Sequence, residues 1–280
     1  MTPFAAGEAR RPPGARPSGK SPGMTRIRDG GRGPDSFRAV IHVEPAGPVV
    51  TVTIDRPERR NALDLGAVGD LTAALDGVGP DVRVLVLTGA GGHFCAGADL
   101  SGVEDEAFQP RLGALLDRLR TARYVTIAAI DGAALGAGAQ LAVACDLRVA
   151  TPAASFGIPA AKLGLAVDAR TVQRVAMLAG QGTARAVLLA AEVVGGTDAH
   201  RLGLVQRLGG LDEALAWAAD IAGLAPLTIQ AHKAALEALA PDVESAPAVE
   251  ASITRAWSSE DMREGLTAFR ERRRPAFEGR

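Results

Sequence analysis

The chain has 280 residues, 47% of them apolar and 22% charged, with a formal net charge of -1. That composition excludes wholesale disorder, and the balanced charge gives no footprint for nucleic acid or a membrane surface. With aromatic residues at 4% there is no base-stacking platform, so Ala, Val and Leu must carry the core. Cys95 and Cys145 are too few for a disulfide framework and suit a reducing cytoplasm. His42, His93, His200 and His232 are scattered without a metal-ligand spacing, and no apolar run is long enough to span a bilayer.

Residues 1–36 mix Pro12, Pro13, Pro17, Pro22 and Pro34 with glycines and arginines. Such a stretch cannot bury enough apolar surface to offset its ordering entropy, so a disordered tail is expected. It has no secretory apolar stretch, and its prolines oppose the amphipathic helix of a transit peptide. A start at Met24 is the alternative.

From about Phe37 strands and helices alternate. Strands are predicted over Ala39–Val43 and Val49–Ile54, separated by the turn Pro45-Ala46-Gly47. A helix over Leu65–Gly77 precedes the buried-strand run Val84–Leu87, which Gly89 ends. A helix over Leu112–Ala122, a strand over Val125–Ile130, a short helix over Gly138–Ala144 and a strand over Leu147–Ala150 follow. The remainder is helical in period: Thr171–Leu178, Ala184–Ala191, Leu211–Leu224, Pro226–Leu239, Ala248–Trp257 and Asp261–Arg270. This order predicts a layered α/β core, residues 37–224, and a helical C-terminal region, residues 225–280. No internal repeat stands out.

Three segments carry the chemical signal. Thr53–Asp64 (T-I-D-R-P-E-R-R-N-A-L-D) is a strand leaving through a basic turn. Its Arg56, Arg59 and Arg60 match phosphate geometry, although taken alone a solvated loop is the better reading. Val84–Leu100 (V-L-V-L-T-G-A-G-G-H-F-C-A-G-A-D-L) is a buried strand, a glycine loop and small residues before an acid. No Gly-Lys-Ser/Thr follows, so it is not a nucleotide P-loop. Ile130–Asp146 (I-D-G-A-A-L-G-A-G-A-Q-L-A-V-A-C-D) puts glycines where a strand hands over to the positive end of a helix. Two backbone N–H groups from two such loops can bracket one carbonyl oxygen, the oxyanion-hole arrangement, in which a single donor is worth about 3–4 kcal/mol, although glycine marks any tight turn.

These segments, with F-G-I-P-A-A-K-L-G-L (Phe156–Leu165) and R-R-R-P-A-F-E-G (Arg272–Gly279), occur in the order found in the crotonase (enoyl-CoA hydratase/isomerase) superfamily. From about Phe37 to Gly279 the chain resembles that family, most closely a mycobacterial hydratase-like branch. The resemblance implies a crotonase fold: an α/β spiral core of repeated ββα units with a helical C-terminal oligomerisation region. It implies an acyl-CoA thioester as ligand, coenzyme A being part of that ligand and no separate cofactor being needed. A homotrimer or dimer of trimers follows, and so does a place in fatty-acid metabolism. The oxyanion donors would be the N–H groups of Ala98 and Ala137, following Gly97 and Gly136. The family commonly has glycine where Ala137 stands, so its methyl would narrow the hole if a positive φ were needed. The adenosine and pantetheine arms would pass Arg60, Ala62, Leu63, Ala96, Asp99 and Leu100, and the acyl chain would enter beyond Pro159 and Leu163.

The chain departs from the family at both hydratase glutamates, with Gln140 at one position and Ala160 at the other. Glutamine holds water but accepts no proton near neutrality, and each lost acid/base group costs about 10²–10⁴-fold. Hydration is therefore expected to be weak or absent. Asp168 matches a carboxylate that dienoyl-CoA isomerases use for proton transfer, and it equally suits the N-cap of the helix behind it. Asp99 is expected to order its loop. The cysteines, Trp217, Trp257 and Phe269 are read as core or subunit packing, His93 as a solvent-facing loop residue and Lys162 as surface.

Overall fold

The computed structural model describes residues 40–101, 104–239 and 247–280, and these fall in one compact unit. The expected tail over residues 1–36 lies outside the described residues. Strand β1 (Ile41–Ala46) pairs antiparallel with β2 (Val49–Ile54), and the turn falls at Gly47, φ 63°. The strand therefore continues through Pro45 and Ala46, which had been assigned to the turn. Pro45 is tolerable there because β1 is an edge strand.

After β2 the chain makes a 3-10 turn at Pro57–Arg59 and enters helix α1 (Leu65–Asp76). Asp64 caps α1 by accepting from Ala67 N at 2.8 Å. Its Ala67, Val68, Leu71, Ala74 and Leu75 form one buried stripe. Strand β3 (Val84–Gly89) follows, then α2 (Phe108–Thr121), which begins a turn earlier than its apolar period suggested. Strand β4 (Val125–Ile130) and the short β5 (Ala133–Leu135) lead into α3 (Ala137–Ala144). Next come β6 (Leu147–Ala150) and β7 (Ser155–Gly157), then a 3-10 turn at Pro159–Leu163.

Helix α4 (Ala169–Leu189) breaks at Gly180, whose φ of 78° and ψ of 159° are not helical, so the two expected helices abut at a kink. Strand β8 (Val193–Gly195), helix α5 (Gly196–Arg201) and strand β9 (Arg207–Leu208) complete the core elements. Four helices close the chain: α6 (Leu211–Ala222), α7 (Pro226–Ala238), α8 (Pro247–Trp257) and α9 (Glu260–Glu271).

The large sheet has the order β1-β2-β3-β4-β6-β9, parallel from β2 onward. Its central strands are apolar on both faces because both are covered. Leu85, Leu87, Ala128 and Ile130 join the core beneath α1, α2 and α3, whereas Val84, Val86, Ile127 and Ala129 meet Ala214, Ala218 and Ile221 of α6. Each fully buried leucine of that core contributes about 1.5–3 kcal/mol. A second sheet, β5-β7-β8, stands beyond the C-terminal end of β4. The sequence reading missed β5, β7, β8, β9 and α5, since two to six residues carry too little period to register.

The predicted boundary at 224/225 falls between α6 and α7. Helix α7 is fastened by charge rather than by apolar burial. Lys233 Nζ donates to Asp146 Oδ2 at 2.7 Å and Tyr124 O at 3.0 Å, while Glu237 takes Arg120 and Arg174. Its leucines face outward, Leu227 being 78% exposed. Phe269 is 60% exposed, so it is not core within one chain. Among the described residues no single helix is long and apolar enough to cross a membrane.

Candidate functional site

Segment 95–99 is the hub. On one side Leu63 N donates to Gly97 O at 2.8 Å, Asp99 N to Leu63 O at 2.7 Å and Ala96 N to Arg60 O at 3.0 Å. On the other side Cys95 N donates to Ala133 O at 2.8 Å and Leu135 N to Cys95 O at 3.0 Å. The segment thus joins the basic turn to β5, bringing together Arg60, Ala62, Leu63 and Ala96–Asp99. Buried Asn61 locks the arrangement. Its Nδ2 donates to Ala90 O at 2.8 Å and His93 O at 2.6 Å, and its Oδ1 accepts from Arg56 N at 2.8 Å. Asn61 sits at φ 59°, which asparagine tolerates better than most residues. The sequence reading passed over it, although Asn after two arginines in a turn was the available signal.

Gly97 (φ 117°) and Gly136 (φ 52°) place the two candidate donors side by side. A methyl on Gly97 would stand 3.8 Å from Ala137 N, and one on Gly136 3.7 Å from Gly97 Cα. Gly136 N donates to Gly157 O at 2.9 Å, fixing the turn that opens α3. Among the described residues neither Ala98 N–H nor Ala137 N–H has a protein acceptor. Ala137 is the first residue of α3 and is not at positive φ, a conformation that Gly136 takes instead, so its methyl strains nothing.

Arg56 is not open to a phosphate. It donates to Ala62 O at 2.7 Å and pairs with Asp64 at 3.0 Å and Asp99 at 3.5 Å. Arg59 and Arg60 are exposed beside it. Asp99 accepts from the Ser101 hydroxyl at 2.7 Å and from Ser101 N at 3.2 Å. The Ser101 hydroxyl, more than Arg56 and Arg59, holds its carboxyl below the ordinary 3.8. His93 is half-buried and its Nδ1 accepts from Ala133 N at 3.2 Å, so it ties the two glycine loops together.

Gln140 and Ala160, the two expected departures from the hydratase pattern, open into different spaces. Gln140 and Asp168 both line a small cavity of about 90 Å3 between α2, α3 and α4, with Asp117, Arg120, Arg170 and Arg174 also on its wall. Asp168 caps α4, accepting from Thr171 N at 2.8 Å and from its hydroxyl at 2.6 Å. Ala160 instead lines an open apolar groove of about 780 Å3 walled by Ile158, Leu165, Val167, Val172, Ala176, Leu188 and Ile253 among others. Pro159 and Leu163 are not in its wall. Leu163 is turned to α9, where a methyl on Gly265 would meet its carbonyl oxygen at 2.4 Å. Trp257 Nε1 donates to Ala166 O at 2.7 Å, closing α8 against the same edge.

A parallel-sheet core bearing two adjoining glycine loops is what the expected crotonase fold requires. The enoyl-CoA hydratase/isomerase family profile matches residues 44–280. The probable enoyl-CoA hydratase echA6 of Mycobacterium tuberculosis is 44% identical over 242 residues, covering 86% of this chain and 100% of that protein. The crotonyl-CoA hydratase of Syntrophomonas wolfei is 34% identical over 252 residues, covering 85% of this chain and 97% of that one. Among solved structures, EchA1_1 from Mycobacterium paratuberculosis superposes with a TM-score of 0.78 at 35% identity, over 87% and 100% of the two chains. Methylmalonyl CoA decarboxylase superposes at 0.79 with 21% identity over 88% and 100%, a likeness of fold alone. The chain belongs to the enoyl-CoA hydratase/isomerase family.

Proposed function

We propose that the protein binds a long-chain acyl-CoA thioester and does not hydrate it appreciably. The thioester carbonyl is held by the Ala98 and Ala137 N–H groups. The coenzyme A arms follow Arg60, Ala62, Leu63, Ala96, Asp99 and Leu100. The observation that carries this reading is Ala160. At the position of a hydratase glutamate stands a methyl group in the wall of an apolar groove of about 780 Å3, within the span of about 300–1,000 Å3 usual for small-molecule sites. Gln140, the other replacement, lines a separate, smaller cavity and accepts no proton near neutrality. Water activation by two carboxylates is therefore lacking, while thioester polarisation and room for an apolar chain remain.

The cell compartment is the cytoplasm, and the assembly a trimer or dimer of trimers. The outward leucines of α7 support its use as a subunit contact. Lipid-synthesis enzymes are the natural recipients of a held acyl chain. The experiment sets hydration of a short 2-enoyl-CoA beside direct binding of long and short acyl-CoA. Tight long-chain binding without turnover is expected, with hydration gained in Gln140→Glu/Ala160→Glu. Brisk native hydration, or equal affinity for short and long chains, overturns the reading.

A second reading is favoured by one observation: Asp168 shares its cavity with Gln140. An enoyl- or dienoyl-CoA isomerase would use Asp168 as its single acid/base. Full isomerase turnover in Asp168→Asn eliminates it.

A further inference from the structure

Helix α3 is eight residues long, every one of them buried. Its first turn carries the Ala137 N–H. Its last carbonyls are gathered by two guanidinium groups that the function above does not use. Arg148, on β6, is 1% exposed. It reaches back to donate to Ala142 O at 3.2 Å, Cys145 O at 2.9 Å, Asp146 O at 3.3 Å and Leu204 O at 2.6 Å. Arg174, from α4, adds bonds to Val143 O at 2.5 Å and Cys145 O at 3.4 Å. Glu237 balances Arg174 at 2.6 Å. Arg148 has no ion-pair partner among the described residues, and its four side-chain bonds all end on main-chain carbonyls.

Burying a cation without a paired carboxylate is expensive unless other groups face it. Here the negative end of α3 does so, with an added pull from the Asp146 carboxylate and an opposing push from Arg174. Burial pushes the Arg148 pKa down to about 10, which leaves the group charged at neutral pH. The helix spans about 12 Å at 1.5 Å per residue, and salt screens partly buried groups less than exposed ones over that distance. A cation placed against the carbonyl end adds to the positive potential at the amide end and leaves that pole unopposed.

We infer that Arg148, assisted by Arg174, is a positioning residue of the site: it compensates the carbonyl end of α3 and so sets how strongly the Ala137 N–H polarises a bound thioester carbonyl. The inference rests on the proposed seating of that carbonyl at Ala98 and Ala137. A unit charge felt across about 12 Å at an intermediate dielectric corresponds to an effect of about tenfold at most.

The test uses two ligands of equal chain length, a long-chain acyl-CoA and the S-alkyl-CoA thioether that lacks only the carbonyl. Their affinity ratio isolates the carbonyl contact, and the 13C shift of the labelled thioester carbonyl reports its polarisation directly. Wild type should prefer the thioester and shift its carbonyl resonance downfield. Arg148→Met should lose about three- to tenfold of that preference, with thioether affinity held and the resonance moving back toward the free ligand. Arg148→Lys, which keeps the charge, should retain most of both. If Arg148→Met does not fold, Arg174→Gln carries the test, with a loss of about twofold and a smaller shift in the same direction. An unchanged preference and resonance in the folded variants overturns the inference, as does an equal loss for both ligands with the resonance unmoved. A wild type without thioester preference instead overturns the seating of the carbonyl, and this inference with it.

Discussion

The two glycine loops and the apolar groove lie on opposite sides of Ala160 in character. Around Gly97, Gly136 and Gly138 the chain is packed main chain against main chain, with hydrogen bonds of 2.8–3.0 Å joining Cys95 to β5. The groove, by contrast, is walled by side chains that remain partly in solvent, Met177 at 56% and Leu189 at 72% exposure. In the proposed seating, backbone would fix where a carbonyl is held and loosely packed side chains what chain length is tolerated. Substitutions should therefore be ruinous in the loops and selective in the groove.

The largest effect is expected from Gly138→Ala. Its methyl would fall 2.0 Å from Cys95 O and 2.9 Å from Cys95 Cβ, and backbone cannot yield as a side chain can. A loss of about 3 kcal/mol or more in urea unfolding is expected, and a neutral result would show the loops to be far softer than drawn. Asn61→Ala comes next. It strands Ala90 O, His93 O and Arg56 N in a buried place, for about 2–4 kcal/mol in the same measurement together with weaker acyl-CoA binding.

Ala176→Trp tests the other side of the comparison. Filling the groove should weaken long-chain acyl-CoA binding about tenfold, near 1.4 kcal/mol, by calorimetry. Short-chain affinity and stability should stay as they were, and parallel losses for both chain lengths would take the acyl chain out of the groove. The smallest effect belongs to Asp99, whose carboxyl is held below 3.8 in the folded state. Its contribution is complete above that unfolded value and is lost as pH falls through the lower folded one. The stability gap between wild type and Asp99→Asn should be flat at neutrality and close only in that acid range. A gap that changes between pH 5 and 8 would contradict the assignment.

Much of this was legible in the residues. Val49–Ile54, Val125–Ile130 and Leu147–Ala150 emerged with their observed bounds because apolar β-branched runs between turn residues admit few other readings. The second sheet was not legible. Ala133–Leu135 and Ser155–Gly157 are three residues each, and they become strands only by pairing with each other and, for the second, with β8. Nor was it legible that Asn61 ties the basic turn to the first glycine loop and that His93 ties that loop to the second. Sequence also did not show that Gln140 and Ala160 face separate spaces, since residues of two different motifs need not share a cavity.

Cys95 and Cys145 lie at opposite ends of α3. Cys95 presses its carbonyl on Gly138, and Cys145 follows Ala144 as the cap. Burial pushes each thiol up to about 12, so neither offers appreciable thiolate while its surroundings stay closed. Reaction with an alkylating reagent must then wait for a breathing event, and its rate counts such events. The native chain thus carries two built-in stopwatches, one timing the fraying of the donor end of α3 and the other that of the arginine-held end.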